Sequence, residues 1–229
     1  MTEHTFKAFG EELTNLSASI ARMGGLAETM VADAVSAVVR RDAAAARAVV
    51  DRDPRLDAMQ VEVERAIVRM FALRQPMAKD LRETLGALKL ANDLERIGDL
   101  SKNIAKRAMV LHESEPIALA RGAERMGRIA QSHLKQVLDA YASREVSSAV
   151  SVWFKDEELD EHYNSFFREL LTYMMEDPRM IGSCAHLLFI AKNIERIGDH
   201  CTNMAETIHY LVTGEDMATE RPKADDLDR

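Results

Sequence analysis

The chain has 229 residues, of which 30% are charged and 47% apolar, and its formal net charge at pH 7 is −8. Nucleic-acid binding depends on clustered Lys and Arg, so this acidic balance argues against that class of protein. Gly, Pro and aromatic residues are few, whereas Ala, Leu, Met, Arg and Glu are abundant. This composition favours an all-α protein.

Targeting and redox signals are weak. The two cysteines, Cys184 and Cys201, form no CxxC pair, so a disulfide scaffold is not expected and a reducing cytoplasm fits. The first six residues lack a basic segment followed by an apolar one, and we expect no signal peptide. No apolar run approaches the ~20 residues that span a bilayer. We expect a cytoplasmic protein, and peripheral contact with the inner face of the membrane stays open.

An internal duplication organises the chain. The pentapeptide Glu-Arg-Ile-Gly-Asp occurs at residues 95–99 and again at 195–199. Earlier in each repeat the matching positions lie 103 residues apart, as with Asp53 and Asp156, and later the offset falls to 100. A unit of about 100 residues is too long for a solenoid repeat, so two tandem domains are predicted.

Each unit is predicted to contain three long helices. Long helices joined by short turns pack as antiparallel bundles, so the predicted fold is all-α, with two tandem three-helix bundles. The first bundle covers residues 1–113, the second covers 114–213, and 214–229 form a polar tail that we expect to be disordered. The six predicted helices are residues 5–40, 42–74, 77–112, 117–142, 144–176 and 179–213.

Local signals mark the ends of these helices. Residues 113–116, Glu-Ser-Glu-Pro, break the helical pattern and form the predicted linker between the bundles. Caps, proline starts and a glycine stop support the other boundaries. These signals are Asp42 as an N-cap, Pro76 and Pro178 at helix starts, Gly214 as a stop, and Gly24-Gly25 as an interruption of the first helix.

Acidic residues recur at four-residue spacing on the second and third predicted helices of each unit. On the third helix they share one side, away from the apolar core positions. Two oxygen-bearing side chains ~6 Å apart along a helix can reach one ion, and neighbouring helices could bring two such pairs together. The predicted metal ligands are Asp53, Asp57, Glu95, Asp99 and Asn103 in the first unit, and Asp156, Asp160, Glu195, Asp199 and Asn203 in the second.

A simpler interpretation is that these are solvated helix faces with salt bridges. Arg96 lies three residues from both Asp93 and Asp99, and Lys102 lies three residues from Asp99. Like charges at i and i+4, however, destabilise a helix, and this sequence places them so in four positions. The two repeats have also diverged while these positions kept their identity. We therefore favour metal binding.

Carboxylate and amide oxygens are hard donors, which suit Mg²⁺, Mn²⁺ or Ca²⁺. Iron sites in helical bundles normally add a Glu-x-x-His pair, and none occurs in register here. His200 follows Asp199 but projects to another side of the helix. The second repeat has Phe167 in place of Glu64 and Asn193 in place of Asp93. We therefore expect the second site to hold fewer or weaker ions.

The motifs together resemble a known family. Residues 74–82, RQPMAKDLR, followed by LERIGD at 94–99 and IERIGD at 194–199, closely resemble the PhoU family of accessory proteins of the bacterial phosphate-specific transport system. The resemblance covers about residues 6–212. It implies a pair of three-helix bundles, often dimeric, that carry multinuclear clusters of divalent or trivalent metal ions on the acidic motifs. The ion is open among Mg, Mn, Fe, Zn and Ca.

The resemblance also implies a function. Such a protein is a regulatory adaptor that lowers phosphate uptake and represses the phosphate-starvation response, by linking the Pst transporter ATPase to a sensor histidine kinase. The sequence has no GxxxxGK, GxSxG or HExxH motif, so we expect no enzyme and no catalytic residue. The alternatives are a two-metal phosphohydrolase and a ferritin-like metal-binding protein, which the missing Glu-x-x-His pairs disfavour.

Overall fold

The computed structural model describes the backbone of residues 2–74, 79–116 and 118–217, and the side chains of residues 10–73, 79–116 and 118–217. The predicted all-α fold is confirmed: within these ranges the regular structure is helical. The elements are α1 Thr2–Arg40, α2 Ala43–Arg74, α3 Lys79–Glu113, α4 Ala120–Ser143, α5 Val146–Phe154, α6 Asp156–Glu176, a 3₁₀ turn Pro178–Met180, and α7 Ile181–Thr213.

Several predicted helix ends coincide with capping bonds. Asp42 Oδ1 accepts a hydrogen bond from the backbone N–H of Ala45 at 2.9 Å, which makes it the N-cap of α2. Gly214 adopts a left-handed conformation with φ 81°, and its N–H donates to the Tyr210 carbonyl, which ends α7. Pro178 opens the 3₁₀ turn that leads into α7. The predicted helix start at Pro76 and residues 218–229 of the predicted disordered tail lie outside the described residues.

The fifth predicted helix is not continuous. It is interrupted at Lys155, whose backbone N–H donates to the Val152 carbonyl at 3.1 Å in a tight turn between α5 and α6. Three acidic residues then open α6, where the positive end of the helix dipole favours them, and Asp156 is the first of these. At the matching place in α2, Asp53 precedes Pro54, which removes one backbone donor. Both buried acids therefore sit beside a local interruption of helical hydrogen bonding.

The predicted interruption of α1 at Gly24-Gly25 was wrong, because α1 runs through both glycines. Gly24 instead makes room for α4: a Cβ atom there would lie 2.5 Å from Leu138 Cδ2. Likewise, a Cβ on Gly127 of α4 would lie 2.6 Å from Val35 Cγ1 of α1. Gly24 corresponds to Gly127 in the repeat, and Val35 to Leu138, so the same close contact is made twice between antiparallel helices.

The third helices of the two repeats also pack antiparallel. Asp93 of α3 contacts His200 of α7, and Arg107 further along α3 contacts His186 nearer the start of α7. The two repeats are thus related by an approximate twofold rotation about an axis perpendicular to α3 and α7. One continuous apolar core joins them, and Ile97 is among its fully buried residues. None of the described helices combines the length and the apolar character of a membrane span.

Candidate functional site

The glycine of the repeated pentapeptide sets the distance between the helices that carry the acidic residues. A Cβ on Gly198 would lie 2.5 Å from Leu159 Cδ2 and 3.5 Å from Asp156 Oδ1, so α6 and α7 are in close contact there. Gly98 makes the same approach to Leu56 between α2 and α3. Sequence reasoning missed these glycines. The signal was present, because glycine inside a helix costs about 1 kcal/mol relative to alanine, yet both copies keep it.

In the first repeat, the carboxylates of α2 and α3 converge on one lysine. We call Asp53, Asp57, Glu95 and Asp99 the first acidic cluster. Lys102 Nζ lies 2.6 Å from Asp53 Oδ2 and also donates to Asp99 Oδ1, so it bridges the two helices. Asp53 is only 5% exposed. The residues that sequence spacing grouped on two separate helices are therefore brought together.

Burial and, after it, repulsion between carboxylates raise the pKa values of two members of the first acidic cluster. Burial raises the pKa of Asp57, and the charge of Asp53 raises it further, while Lys102 opposes both effects. Burial also raises the pKa of Glu95; Arg96 opposes this, and the carboxylates of Asp99, Asp57 and Asp53 add to it.

Two further features concern the balance of charge in this cluster. Burial by itself would lower the pKa of Lys102, but its hydrogen bonds to Asp53 and Asp99 raise it. Asp53 Oδ1 is buried and has no hydrogen-bond partner among the described residues. A buried carboxylate oxygen without a partner is costly. One bridging ammonium group therefore does not satisfy the cluster.

The second repeat builds a related cluster from α6 and α7. We call Asp156, Asp160, Glu195 and Asp199 the second acidic cluster. Asp156 is only 2% exposed. Burial raises the pKa of Glu195, with further contributions from Asp199 and Asp156, while the hydrogen bond and charge of Lys192 lower it. Lys192 Nζ lies 2.7 Å from Glu195 Oε1.

The other oxygen of Glu195 is left without compensation. Its Oε2 is buried and has no hydrogen-bond partner within the part of the chain that the structure describes. Asp160 is partly buried one turn beyond Asp156 on α6. The two predicted clusters thus share one arrangement, in which one buried aspartate and further, partly buried carboxylates lie on the last two helices of a repeat.

Some predicted members lie apart from these clusters. Asn103 and Asn203 are exposed, one turn beyond Asp99 and Asp199. Asp93 Oδ1 lies 2.9 Å from His200 Nδ1 of the other repeat, so its replacement by Asn193 changes a contact between repeats. The expectation that Asp93 would strengthen the first cluster therefore has no geometric support. His200 faces α3, in agreement with the prediction that it points away from the acidic side of α7.

The simpler interpretation, in which the acidic residues lie on solvated helix faces with salt bridges, is only partly supported. Arg96 Nη1 lies 3.5 Å from Asp99 Oδ2, and Lys102 pairs with Asp99, as that interpretation requires. Asp53 and Asp156, however, are buried in the groove between two helices rather than solvated. Simple surface ion pairs contribute little to stability and do not explain why carboxylates are buried at a cost.

The donors that the clusters offer are carboxylate oxygens, which fit hard cations such as Mg²⁺, Mn²⁺ and Ca²⁺. The unpartnered oxygens of Asp53 and Glu195 are free to accept a cation. Across the described residues, no three His, Cys, Asp or Glu side chains are gathered closely enough to hold an ion as they stand. Side chains of the first cluster would have to rearrange around Lys102 to do so.

Duplicated three-helix bundles with an acidic cluster between two helices of each repeat define a class of all-α proteins. The chain belongs to the PhoU family: the family model described as PhoU domain matches it twice, over residues 20–108 and 123–208. The match confirms the resemblance inferred from the repeated pentapeptide and from residues 74–82.

Curated relatives and solved structures agree with this assignment. The chain is 58% identical over 228 residues, 99% of each sequence, to the phosphate-specific transport system accessory protein PhoU homolog of Caulobacter vibrioides strain NA1000. It is 55% identical to the homolog of Rhizobium meliloti over 223 residues, which cover 97% of this chain and 94% of that protein.

The fold agrees with crystal structures of the same family. The structure matches that of PhoU from Pseudomonas aeruginosa with a TM-score of 0.88 at 38% identity, covering 90% of this chain and 100% of that one. PhoU from Streptococcus pneumoniae matches with a TM-score of 0.85 at 29% identity, over 92% and 100% of the two chains. These similarities confirm the architecture of two helical repeats.

Proposed function

We propose that this protein is a regulatory adaptor of a phosphate-specific transport system. In this proposal it lowers phosphate uptake and represses the phosphate-starvation response when phosphate is plentiful, by linking the Pst transporter ATPase to a sensor histidine kinase at the inner face of the membrane. The observation that carries the proposal is the near full-length similarity to relatives named phosphate-specific transport system accessory proteins.

Metal binding is the second part of the proposal. Divalent cations would be held by the first acidic cluster through Asp53, Asp57, Glu95 and Asp99, and by the second through the matching residues Asp156, Asp160, Glu195 and Asp199. The buried, unpartnered oxygens of Asp53 and Glu195 support this role, as does the mutual repulsion of the carboxylates. A bound cation would neutralise that repulsion and hold two helices of a repeat together.

The clusters have a regulatory role in this proposal and no catalytic one. By tying two helices of a repeat together, a cation would fix the outer surface that a partner protein contacts. A metal-dependent phosphohydrolase is the competing assignment. Hydrolysis of p-nitrophenyl phosphate in Mn²⁺, lost in the Asp99→Ala variant, would favour that enzyme over an adaptor.

Regulation is tested in a bacterial host that lacks its own family member and carries a phosphate-starvation reporter. Expression of the wild-type chain is expected to silence the reporter at high phosphate, and pull-downs are expected to recover the transporter ATPase and the sensor kinase. Asp51→Ala is the matched control for the cluster variant described next, because Asp51 is an exposed acid on α2 outside the cluster. If the wild-type chain neither silences the reporter nor binds either partner, the adaptor assignment fails.

Metal dependence is tested with Glu95→Ala combined with Asp99→Ala. These changes are expected to reduce metal content and partner binding while helicity by circular dichroism stays near that of the wild type. Reduced metal content with normal regulation would assign the ions a structural role only.

We also propose that the protein is a homodimer. Light scattering coupled to size-exclusion chromatography measures this oligomeric state directly.

A further inference from the structure

Lys102 occupies the place in the first acidic cluster where a cation would compensate the carboxylates. Its ammonium group contacts Asp53 of α2 and Asp99 of α3, so it links the same two helices that a bound metal ion would link. The Lys102 side chain is 21% exposed, which places the charge mostly inside the groove. One ammonium faces four carboxylates, and the oxygen Oδ1 of the 95% buried Asp53 still has no partner among the described residues.

The second repeat has no lysine at the position that corresponds to Lys102. Thr202 takes the position of Lys102, is 1% exposed, and donates its hydroxyl hydrogen to the backbone carbonyl of Gly198 at 3.2 Å. Lys192 lies at the edge of this cluster. Its side chain is 49% exposed, its ammonium group bonds to Glu195 on the same helix, and it lies 5.3 Å from the centroid of the Tyr163 ring of α6. Lys192 corresponds to Asn92 of the first repeat. The lysines of the two clusters therefore come from different positions, and the side chain of Lys102 is the more buried.

A divalent ion and the ammonium group of Lys102 need the same carboxylate oxygens. Two cations held within a few ångströms of each other repel strongly in a partly buried groove. The lysine must therefore break two ion pairs and swing out before a metal ion can enter the first acidic cluster. At the second cluster the position of Lys102 carries no charge. Lys192, at the edge of that cluster, would give up one ion pair within α7 and its contact with the Tyr163 ring, and its ion pair does not bridge two helices.

We infer that Lys102 is a built-in counter-ion that competes with metal in the first acidic cluster, and that its replacement by Thr202 makes the second cluster the tighter metal site. This inference rests on the proposed metal-binding role. It reverses the order of affinities expected from Phe167 and Asn193. Asp93, the counterpart of Asn193, is bonded to His200 and lies outside the cluster, so that substitution does not decide the affinity.

The test measures the two clusters separately by Mn²⁺ titration calorimetry, together with metal analysis after desalting. Glu195→Gln with Asp199→Asn leaves only the first cluster, and Glu95→Gln with Asp99→Asn leaves only the second. The second cluster is expected to bind Mn²⁺ roughly tenfold more tightly than the first. Adding Lys102→Thr to the protein with only the first cluster is expected to recover roughly that tenfold difference.

Two controls accompany Lys102→Thr. Lys106→Thr removes an exposed lysine one turn along the same helix and is expected to leave the affinity unchanged. Lys102→Gln keeps most of the side-chain stem without the charge, so it covers the case in which Lys102→Thr folds poorly. Circular dichroism and the unfolding temperature in chelator report whether each variant folds.

The outcomes separate the inference from the proposal beneath it. If no variant, including Lys102→Thr and Lys102→Gln, binds Mn²⁺, the metal-binding role itself is wrong and the inference falls with it. If Mn²⁺ binds, but neither removal of the Lys102 charge raises the affinity of the first cluster, only the inference is wrong. Tighter binding to the first cluster than to the second in the otherwise unchanged chain would also overturn it.

Discussion

Arg144 and Glu83 form an ion pair that joins the two repeats. Arg144 Nη2 lies 2.6 Å from Glu83 Oε2, and the Glu83 side chain is only 16% exposed. Arg144 is the left-handed residue that follows α4, with φ 59°, whereas Glu83 lies in the first turns of α3. Arg41, its counterpart in the first repeat, instead donates to backbone carbonyls at the end of α3. Equivalent positions therefore make different bonds in the two repeats.

This ion pair is expected to couple the stabilities of the two repeats. In a double-mutant cycle with Glu83→Gln and Arg144→Met, we expect a coupling free energy of about 1 kcal/mol, at the upper end of the range for exposed pairs because Glu83 is largely shielded. Urea unfolding of the four proteins measures it. Glu145→Gln, which changes an exposed acid next to Arg144, is the control and is expected to show no coupling to Arg144.

Gly198→Ala is expected to destabilise the protein by about 1–3 kcal/mol, because the added methyl group would overlap Leu159 between α6 and α7. Gly25→Ala is the matched control. That glycine also lies inside a helix, but no atom lies within 4 Å of its added Cβ, so alanine is expected to stabilise α1 by about 0.5–1 kcal/mol. Equal effects of both changes on urea unfolding would show that Gly198 has no packing role.

Glu195→Gln is expected to stabilise the metal-free protein at pH 7.5. The folded-state pKa of Glu195 is raised above its ordinary value of 4.5, first by burial, so the ionised form is less favourable in the folded state. Stability is then lost as the pH rises from 4.5 through the raised pKa. Below 4.5 the carboxyl group is protonated in both states and this penalty disappears.

The measurement is urea unfolding in chelator at pH 4 and about pH 7.5. The gain from Glu195→Gln should be larger at the higher pH. Glu161→Gln, which changes an exposed acid on α6, provides the control and is expected to give the same small difference at both values. A Glu195→Gln variant that is less stable than the wild type at the higher pH would contradict the prediction.

Mn²⁺ is expected to make the wild-type protein more stable than variants that lack carboxylates of the clusters, whereas without metal such a variant is the more stable protein. In Mn²⁺ at about a hundred times the dissociation constant, one bound ion stabilises the folded protein by about 2.7 kcal/mol. Asp99→Asn combined with Asp199→Asn is expected to abolish this gain in thermal unfolding. The Asp51→Asn variant should keep it, because Asp51 lies outside the acidic clusters.

The sequence predicted much of this architecture because its signals are local. Asp42 and Gly214 act through backbone positions within a few residues of themselves, so their roles as caps could be inferred before any contact was known. The convergence of Asp53 with Asp99 followed from placing the second and third helices side by side. The identity of the residue that bridges them did not follow, because Lys102 had been assigned only to its own helix.

Two of the errors originate in packing between helices, and a third in a local break. Gly24 is unfavourable in a helix when α1 is considered alone, and only Leu138 of the other repeat explains its presence. Asp93 belongs by spacing to the acidic stretch of α3, yet its partner is His200, 107 residues away. The break at Lys155 lies in a stretch whose apolar pattern continues on both sides, so periodicity could not locate it.

The reciprocal contact of Gly24 with Leu138 and of Gly127 with Val35 is the geometry of an isologous interface, in which one surface meets its own copy. A chain with a single repeat would need a second molecule to bury that surface, and dilution would separate the pair. Covalent fusion makes the pairing independent of concentration. It also lifts the requirement that both copies be identical, so a lysine can be kept in one half and replaced by threonine in the other.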